Sequence, residues 1–302
     1  MTNAAIPTVG AATGAMCESI LVRTVWLVLA ITPVGLFAAE PSYIGAAACG
    51  NCHAAEFESQ SKTGHARALR KSAATEPGDW AFGSGAQAIT FVSRVDGGTY
   101  REHGETWYRA TNSLGFTPGH RNAAGVLFRI LDPDARILRC FGCHSTGPLS
   151  LSGDQEIVPH ELGVRCEQCH GPGSAHAADP AANRLRTTES LTLCAKCHRL
   201  ELGSEEENRD VRDPRNARNQ PLMLGASACF RGAKGKLTCF TCHAPHAELQ
   251  RDVAAYDRKC QGCHAAPRHR QAVTGACAGC HMPAVQYGKE LRFVNHKIGV
   301  YK

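Results

Sequence analysis

Seven times along this chain two cysteines stand three positions apart, and each time the next residue is a histidine. The pairs are Cys49/Cys52, Cys140/Cys143, Cys166/Cys169, Cys194/Cys197, Cys239/Cys242, Cys260/Cys263 and Cys277/Cys280. The histidines that follow are His53, His144, His170, His198, His243, His264 and His281. A bare Cys-x-x-Cys suits a zinc site, a redox dithiol or a covalently attached cofactor. Zinc gives no reason for histidine directly after each second cysteine. A disulfide framework explains the cysteines of an exported chain but not the histidines, and a thioredoxin-like dithiol needs one pair, not seven. With histidine near one residue in twenty, seven coincidences have odds on the order of one in a billion. Cys-x-x-Cys-His is the attachment signature of c-type haem. Its two thiols form thioethers with the porphyrin vinyl groups, and the histidine supplies the proximal nitrogen to iron. The pattern predicts seven covalently bound haem c groups and uses fourteen of the 16 cysteines. Cys17 lies near the N-terminus, which leaves Cys229 alone in the rest of the chain.

Seven macrocycles in 302 residues account for an otherwise puzzling composition: 6% aromatic residues, with 30 glycines and 15 prolines. The expected fold is a multihaem cytochrome c, mainly short α-helices and irregular loops wrapped around stacked haems, with the porphyrins as the apolar core. The formal charge of +6 overstates the surface basicity once fourteen propionates are added. No long Lys/Arg run or aromatic-interleaved basic patch is present, so nucleic acid is not an expected partner.

Eight histidines remain outside the motifs: His65, His103, His120, His160, His176, His246, His269 and His296. That number nearly matches a sixth ligand for each of seven irons, which predicts bis-histidine coordination and one-electron transfer. His65 (SKTGHARAL), His176 (HGPGSAH), His246 (CHAPH) and His296 (FVNHKI) are the first candidates, with His120 (TPGHR) and His160 (VPHELG) after them. His103 and His269 sit amid charges, as exposed histidines do, and are not assigned. Met223 reads as an apolar filler rather than a thioether ligand. His176 follows His170 by only six residues, a reach of about 20 Å, too short to pass round a porphyrin rim. It is therefore expected to serve a neighbouring haem. First cysteines of successive motifs are 91, 26, 28, 45, 21 and 17 residues apart. From Cys140 onward the macrocycles must stack or meet edge to edge, which gives a conducting row.

The chain divides by character into three parts. Residues 1–39 end in an apolar run that follows Arg23 and closes on Ala38-Ala39, the pattern of a secretory signal, with Met16 as a tidier start. An uncleaved anchor is the competing reading, and membrane attachment is expected only in that case. Either places the remainder outside the cytoplasm, periplasmic or extracellular. Residues 40–135 hold the first motif and an alternating stretch near 86–111 that turns at Asp96-Gly97-Gly98, a small hairpin or meander. Residues 136–302 form a dense six-haem region, with short helices expected just after the motifs and a charged surface loop over 205–221.

The stretch YIGAAACGNCHAAEFESQSKTGHARAL resembles the opening of the cytochrome c-554-like multihaem cytochromes. There a Tyr-x-Gly leads through Cys-x-x-Cys-His and an acidic helix to a distal histidine in Ser/Thr-Gly-His-Ala. FGSGAQAITFV with ETWY resembles that group's β-rich insert; GVRCEQCHGPGSAH, TCFTCHAPH and CAGCHMP followed by FVNHKI resemble its later haem sites. The group is related through haem packing to pentahaem nitrite reductase and hydroxylamine oxidoreductase. The resemblance implies periplasmic electron transfer and distal roles for His65, His176, His246 and His296. This chain departs from the tetrahaem namesake in carrying seven motifs, and it lacks the Cys-x-x-Cys-Lys of the nitrite reductase's catalytic haem. The expected function is that of an exported heptahaem cytochrome active in anaerobic respiration, with no catalytic residue of its own. It would carry electrons between periplasmic or cell-surface redox partners such as quinol oxidase modules, other cytochromes or terminal reductases. The alternative is a reductase or oxidase of small nitrogen or sulfur compounds that uses one haem without a histidine sixth ligand. A structural subunit of a larger surface complex is a third reading.

Overall fold

The alternating stretch around Asp96-Gly97-Gly98 builds more sheet than a hairpin. In the computed structural model β1 (Leu69–Lys71), β2 (Trp80–Phe82), β3 (Ala88–Asp96) and β4 (Thr99–Tyr108) run in that order. Both β5 (Ser113–Phe116) and β6 (Val126–Arg129) pair with β4. Every pairing is antiparallel. Gly98 closes the β3–β4 turn at φ 79, with Ile130 so near that an added Cβ would lie 2.9 Å from it. Only glycine meets both demands. The structure describes residues 40–301 apart from 135, 188–189, 199–212, 214–215, 217–218, 266–268 and 270–274. The signal segment and most of the charged stretch 205–221 lie outside the described residues.

One face of this sheet packs on α3 (Arg136–His144). Leu69, Trp80, Phe82, Val92 and Tyr100 from the strands join Ile130, Ile137, Phe141 and Ile157 in a buried cluster. The Phe141 ring meets Trp80 and Phe82 edge-on at 5.1 Å and Tyr100 at 5.9 Å. Two expectations are corrected here. The β region spans 69–129 rather than about 86–111, and this part of the chain has an ordinary side-chain core. The low overall aromatic content conceals how many of the rings fall in this one segment.

A hairpin of β7 (Ser145–Leu151) and β8 (Ile157–Leu162) follows α3 directly, and β9 (Ala284–Tyr287) pairs with β10 (Leu291–Val294) near the C-terminus. The remaining helices are short: α1 (Ala46–Gly50), α2 (Ala54–Ser61), α4 (Cys166–His170), α5 (Ser174–Ala178) and α6 (Ser190–His198). They continue as α7 (Gln220–Gly225), α8 (Ala228–Gly232), α9 (Cys239–Cys242), α10 (Val253–Gln261) and α11 (Cys277–His281). Most motifs sit within or at the end of a helix rather than ahead of one, and only the first leads straight into one, α2. The reason is geometric: one helical turn brings residues i, i+3 and i+4 to the same side, so both thiols and the histidine face together. The far end of the charged stretch is also not a surface loop, since Asn216, Asn219 and Pro221 are buried. Among the described residues no helix is long and apolar enough to cross a membrane.

Candidate functional site

The first and third motifs are built against each other. Glu167, between the cysteines of the third motif, is 2% exposed. Its carboxylate accepts N–H bonds from Ile44 (3.0 Å), Gly45 (2.8 Å) and Gly173 (2.7 Å). Glu161 accepts from Ala46 N–H at 3.1 Å. Two carboxylates thus satisfy the backbone donors that open α1, where the first motif lies. The Cys49 thiol donates to Gly45 O at 3.7 Å and lies close to the Cys166 sulfur; burial first, then Cys166, pushes its pKa up to about 11. The second and fourth motifs meet in the same way, with the Cys197 thiol bonded to Cys143 and its pKa raised by that bond. Cys260 has Cys277 and Cys242 as electrostatic neighbours, which brings the fifth, sixth and seventh motifs together. Cys229 stands near Cys242, Cys260 and Cys263. No disulfide joins the described cysteines.

The fourteen predicted anchors differ in exposure. Cys52, Cys140, Cys263 and Cys280 are exposed, and the others are half-buried. Among the exposed thiols, Cys52 and Cys280 are each the second of their motif; Cys280 lies beside Cys277, and the Cys52 N–H donates to Cys49 O at 3.2 Å. The reason lies in the helical turn: where the first thiol of a motif faces the protein, the second, about 60° further round, can face solvent. A thioether sulfur needs no protein partner, so exposure leaves both residues able to anchor a macrocycle at an outer edge.

The histidines fall into pairs. His53 faces His176 at 6.2 Å between ring centroids, and His170 faces His246 at 6.0 Å. His198 faces His65 at 6.0 Å, His243 faces His296 at 6.2 Å, and His281 faces His269 at 6.2 Å. Each pair joins one motif histidine to one from outside the motifs. Iron–imidazole bonds of about 2 Å, plus about 1.2 Å from each nitrogen to its ring centre, require roughly 6.4 Å between coaxial centroids. The five separations agree with that length and exceed ordinary face-to-face stacking.

The ring nitrogens are oriented for the same purpose. Nδ1 of His176 donates to Asn183 O (2.9 Å), of His281 to Gly299 O (2.7 Å), and of His296 to Val294 O (3.0 Å). Nδ1 of His198 lies 3.3 Å from Gln220 Oε1. A ring that donates through Nδ1 keeps its Nε2 lone pair for a metal. Burial, the leading cause in each case, lowers the pKa of His65, His170, His198 and His243 and brings His296 down to about 4. Neutral imidazole is the ligating form. The donor set therefore fits a haem held by thioethers on one edge and two imidazoles on the axis. Among the described residues no cluster of three or more His, Cys, Asp or Glu has the arrangement of a metal site.

His120 and His160 are placed against other partners. His120 Nε2 lies 3.4 Å from a Glu102 carboxylate oxygen, and the His160 ring rests on Tyr43 at 5.7 Å. His103 bonds to Ser93 Oγ at 2.8 Å. His269, not assigned because it sits amid charges, is placed opposite His281, which its local sequence did not suggest. His144 donates from Nδ1 to Ala68 O at 2.9 Å with its ring edge-on to Phe82, and His264 is exposed.

Seven thiol-pair motifs on helical turns and histidines spaced for axial ligation give this chain the architecture of a multihaem c-type cytochrome. A family model described as cytochrome c554 and c-prime matches residues 120–171, which contain the second and third motifs. Two solved structures share the fold. The outer cell wall cytochrome OcwA aligns with TM-score 0.56 and 15% identity over 85% of this chain and 79% of that one. An undecahaem cytochrome from the S-layer of Carboxydothermus ferrireducens aligns with TM-score 0.53 and 17% identity over 87% of this chain and 53% of its own. This chain thus spans about half the length of the second. No curated protein matches.

Proposed function

We propose that this chain is an exported heptahaem electron carrier that accepts single electrons from one reduced redox protein and delivers them to an oxidised one, outside the cytoplasm. The observation that carries the reading is the set of five imidazole pairs at 6.0–6.2 Å. Haem iron between two imidazoles exchanges one electron without a change of ligands. The chain's own part is to anchor, orient and pack. The fourteen motif cysteines hold the porphyrin edges, and the seven motif histidines are the proximal ligands. His65, His176, His246, His269 and His296 close the far faces, with Nδ1 acceptors fixing several of the rings. Contacts between cysteines of different motifs, Cys49 with Cys166 and Cys197 with Cys143, support a row of adjoining sites. The names of the structural neighbours, a cell-wall and an S-layer protein, favour a place at or beyond the cell envelope. Partners are then other redox proteins.

Mass spectrometry and a haemochrome assay on purified protein test the count, and electron paramagnetic resonance tests ligation. Seven covalent haems with a dominant low-spin signal are expected. Fewer than seven, or a mainly high-spin population, would overturn the reading.

A further inference from the structure

The pairing of histidines has an order that distance alone does not require. His65 follows the first motif and faces the histidine of the fourth; His176 follows the third and faces that of the first. His246 follows the fifth and faces the third, His296 follows the seventh and faces the fifth, and His269 follows the sixth and faces the seventh. None faces the motif it follows. Joined end to end, the five pairings visit six motifs in one unbranched path: sixth, seventh, fifth, third, first, fourth.

On the reading of the chain as a haem carrier, we propose that iron coordination interlocks these six sites, each but the last lending its spare histidine to the next site on the path. Chain length enforces part of this. His176, His246 and His269 follow their own motif histidines by six, three and five residues. Those spans are too short to carry a ring round a porphyrin, about 10 Å across, to its opposite face. His65 and His296 have enough chain to serve either way, and packing decides for them. Val164 N–H donates to His65 O at 2.9 Å while Gln60 Nε2 donates to Val164 O at 2.7 Å, which fixes the His65 turn against the segment ahead of the third motif. Ser227 Oγ donates to His296 O at 3.2 Å and accepts from Ile298 N–H at 2.8 Å, and Asn295 N–H donates to Pro283 O at 3.1 Å. These bonds fix the backbone on both sides of His296, whose ring lies 6.2 Å from that of His243. Each coordinated iron then ties two distant segments, by thioethers on one side and an Fe–Nε2 bond on the other. Loss of a spare histidine is felt at the next site, not at its own.

The test uses the full haem-loaded protein. His176→Ala and His246→Ala should each convert one haem of seven from low to high spin, seen by electron paramagnetic resonance and resonance Raman. Added imidazole should restore the low-spin state. In a Cys166→Ala/Cys169→Ala background, which lacks the third haem, His246→Ala should add no high-spin haem and His176→Ala should still add one. The reverse pattern, with His176→Ala silent there, would mean own-site ligation and would overturn the path. Should these variants fail to mature, a holoprotein structure decides, because each iron must lie between the two named rings. Seven low-spin haems with other ring pairings would sink the path and leave the carrier reading standing. Fewer than seven haems would sink the carrier reading itself.

Discussion

Glu167 holds three backbone N–H groups from two segments far apart in sequence, and it does so almost entirely out of water. Replacing it with Gln leaves one carbonyl oxygen for three donors and turns an amide N–H₂ toward them. Glu167→Gln should cost about 2–3 kcal/mol of stability, from charge-assisted bonds lost and donors stranded. Thermal or denaturant unfolding of the loaded protein would measure it; a change below about 0.5 kcal/mol, the scale of a neutral surface substitution, would refute the role. Nothing in RCEQCH marks this acid as different from any other residue between two cysteines, because two of its three partners, Ile44 and Gly45, lie more than a hundred positions upstream. His269 was illegible for a different reason. Flanked by Arg268 and Arg270, it has the local sequence of a solvated histidine, and only the tertiary position opposite His281 distinguishes it. The motif residues stand out in the sequence as a set, since each pattern is contiguous. Which thiols face outward, as Cys52 and Cys280 do, was not legible there, because exposure depends on what the rest of the chain packs against each turn.

The helix α3 shows how one element can meet two demands. Its Ile137 and Phe141 are wholly buried against the sheet, while Cys140, Cys143 and His144 of the same helix are the residues proposed to hold the second haem. Phe141→Ala should cost about 3–5 kcal/mol through the cavity left among Trp80, Phe82 and Tyr100. It should also alter the absorbance and spin state of one haem, the one anchored on this helix, leaving the others unchanged. Tyr100 adds a polar pin, its hydroxyl accepting from Ile157 N–H at 2.7 Å. Tyr100→Phe should cost about 1–2 kcal/mol by leaving that buried amide unpaired, with faster hydrogen exchange at Ile157 as the check. The period-two pattern of β3 and β4 was readable from sequence. β1 and β2 were not, because three-residue strands give periodicity too little length to register.

Buried apolar side chains are unevenly shared across the molecule. The cluster from Leu69 to Ile157 is dense, whereas later in the chain only Leu193, Met223, Leu224 and Leu291 are buried hydrophobics among the described residues. Chain produced without haem attachment should therefore keep amide protection in the six-stranded sheet and lose it beyond residue 166, as hydrogen exchange would record. Equal protection in both parts would contradict the dependence. The composition had suggested a chain with no core of its own, and that holds better for the later half than for the sheet. The five imidazole pairs also differ in the angle between their ring planes, from 20° for His53/His176 to 73° for His65/His198. Parallel rings act on the same iron d orbital and split it from its twin, whereas crossed rings act on both and leave them nearly level. The first pair should give a rhombic spectrum and the last a strongly axial one, so that irons of identical ligand chemistry remain magnetically distinguishable from one another.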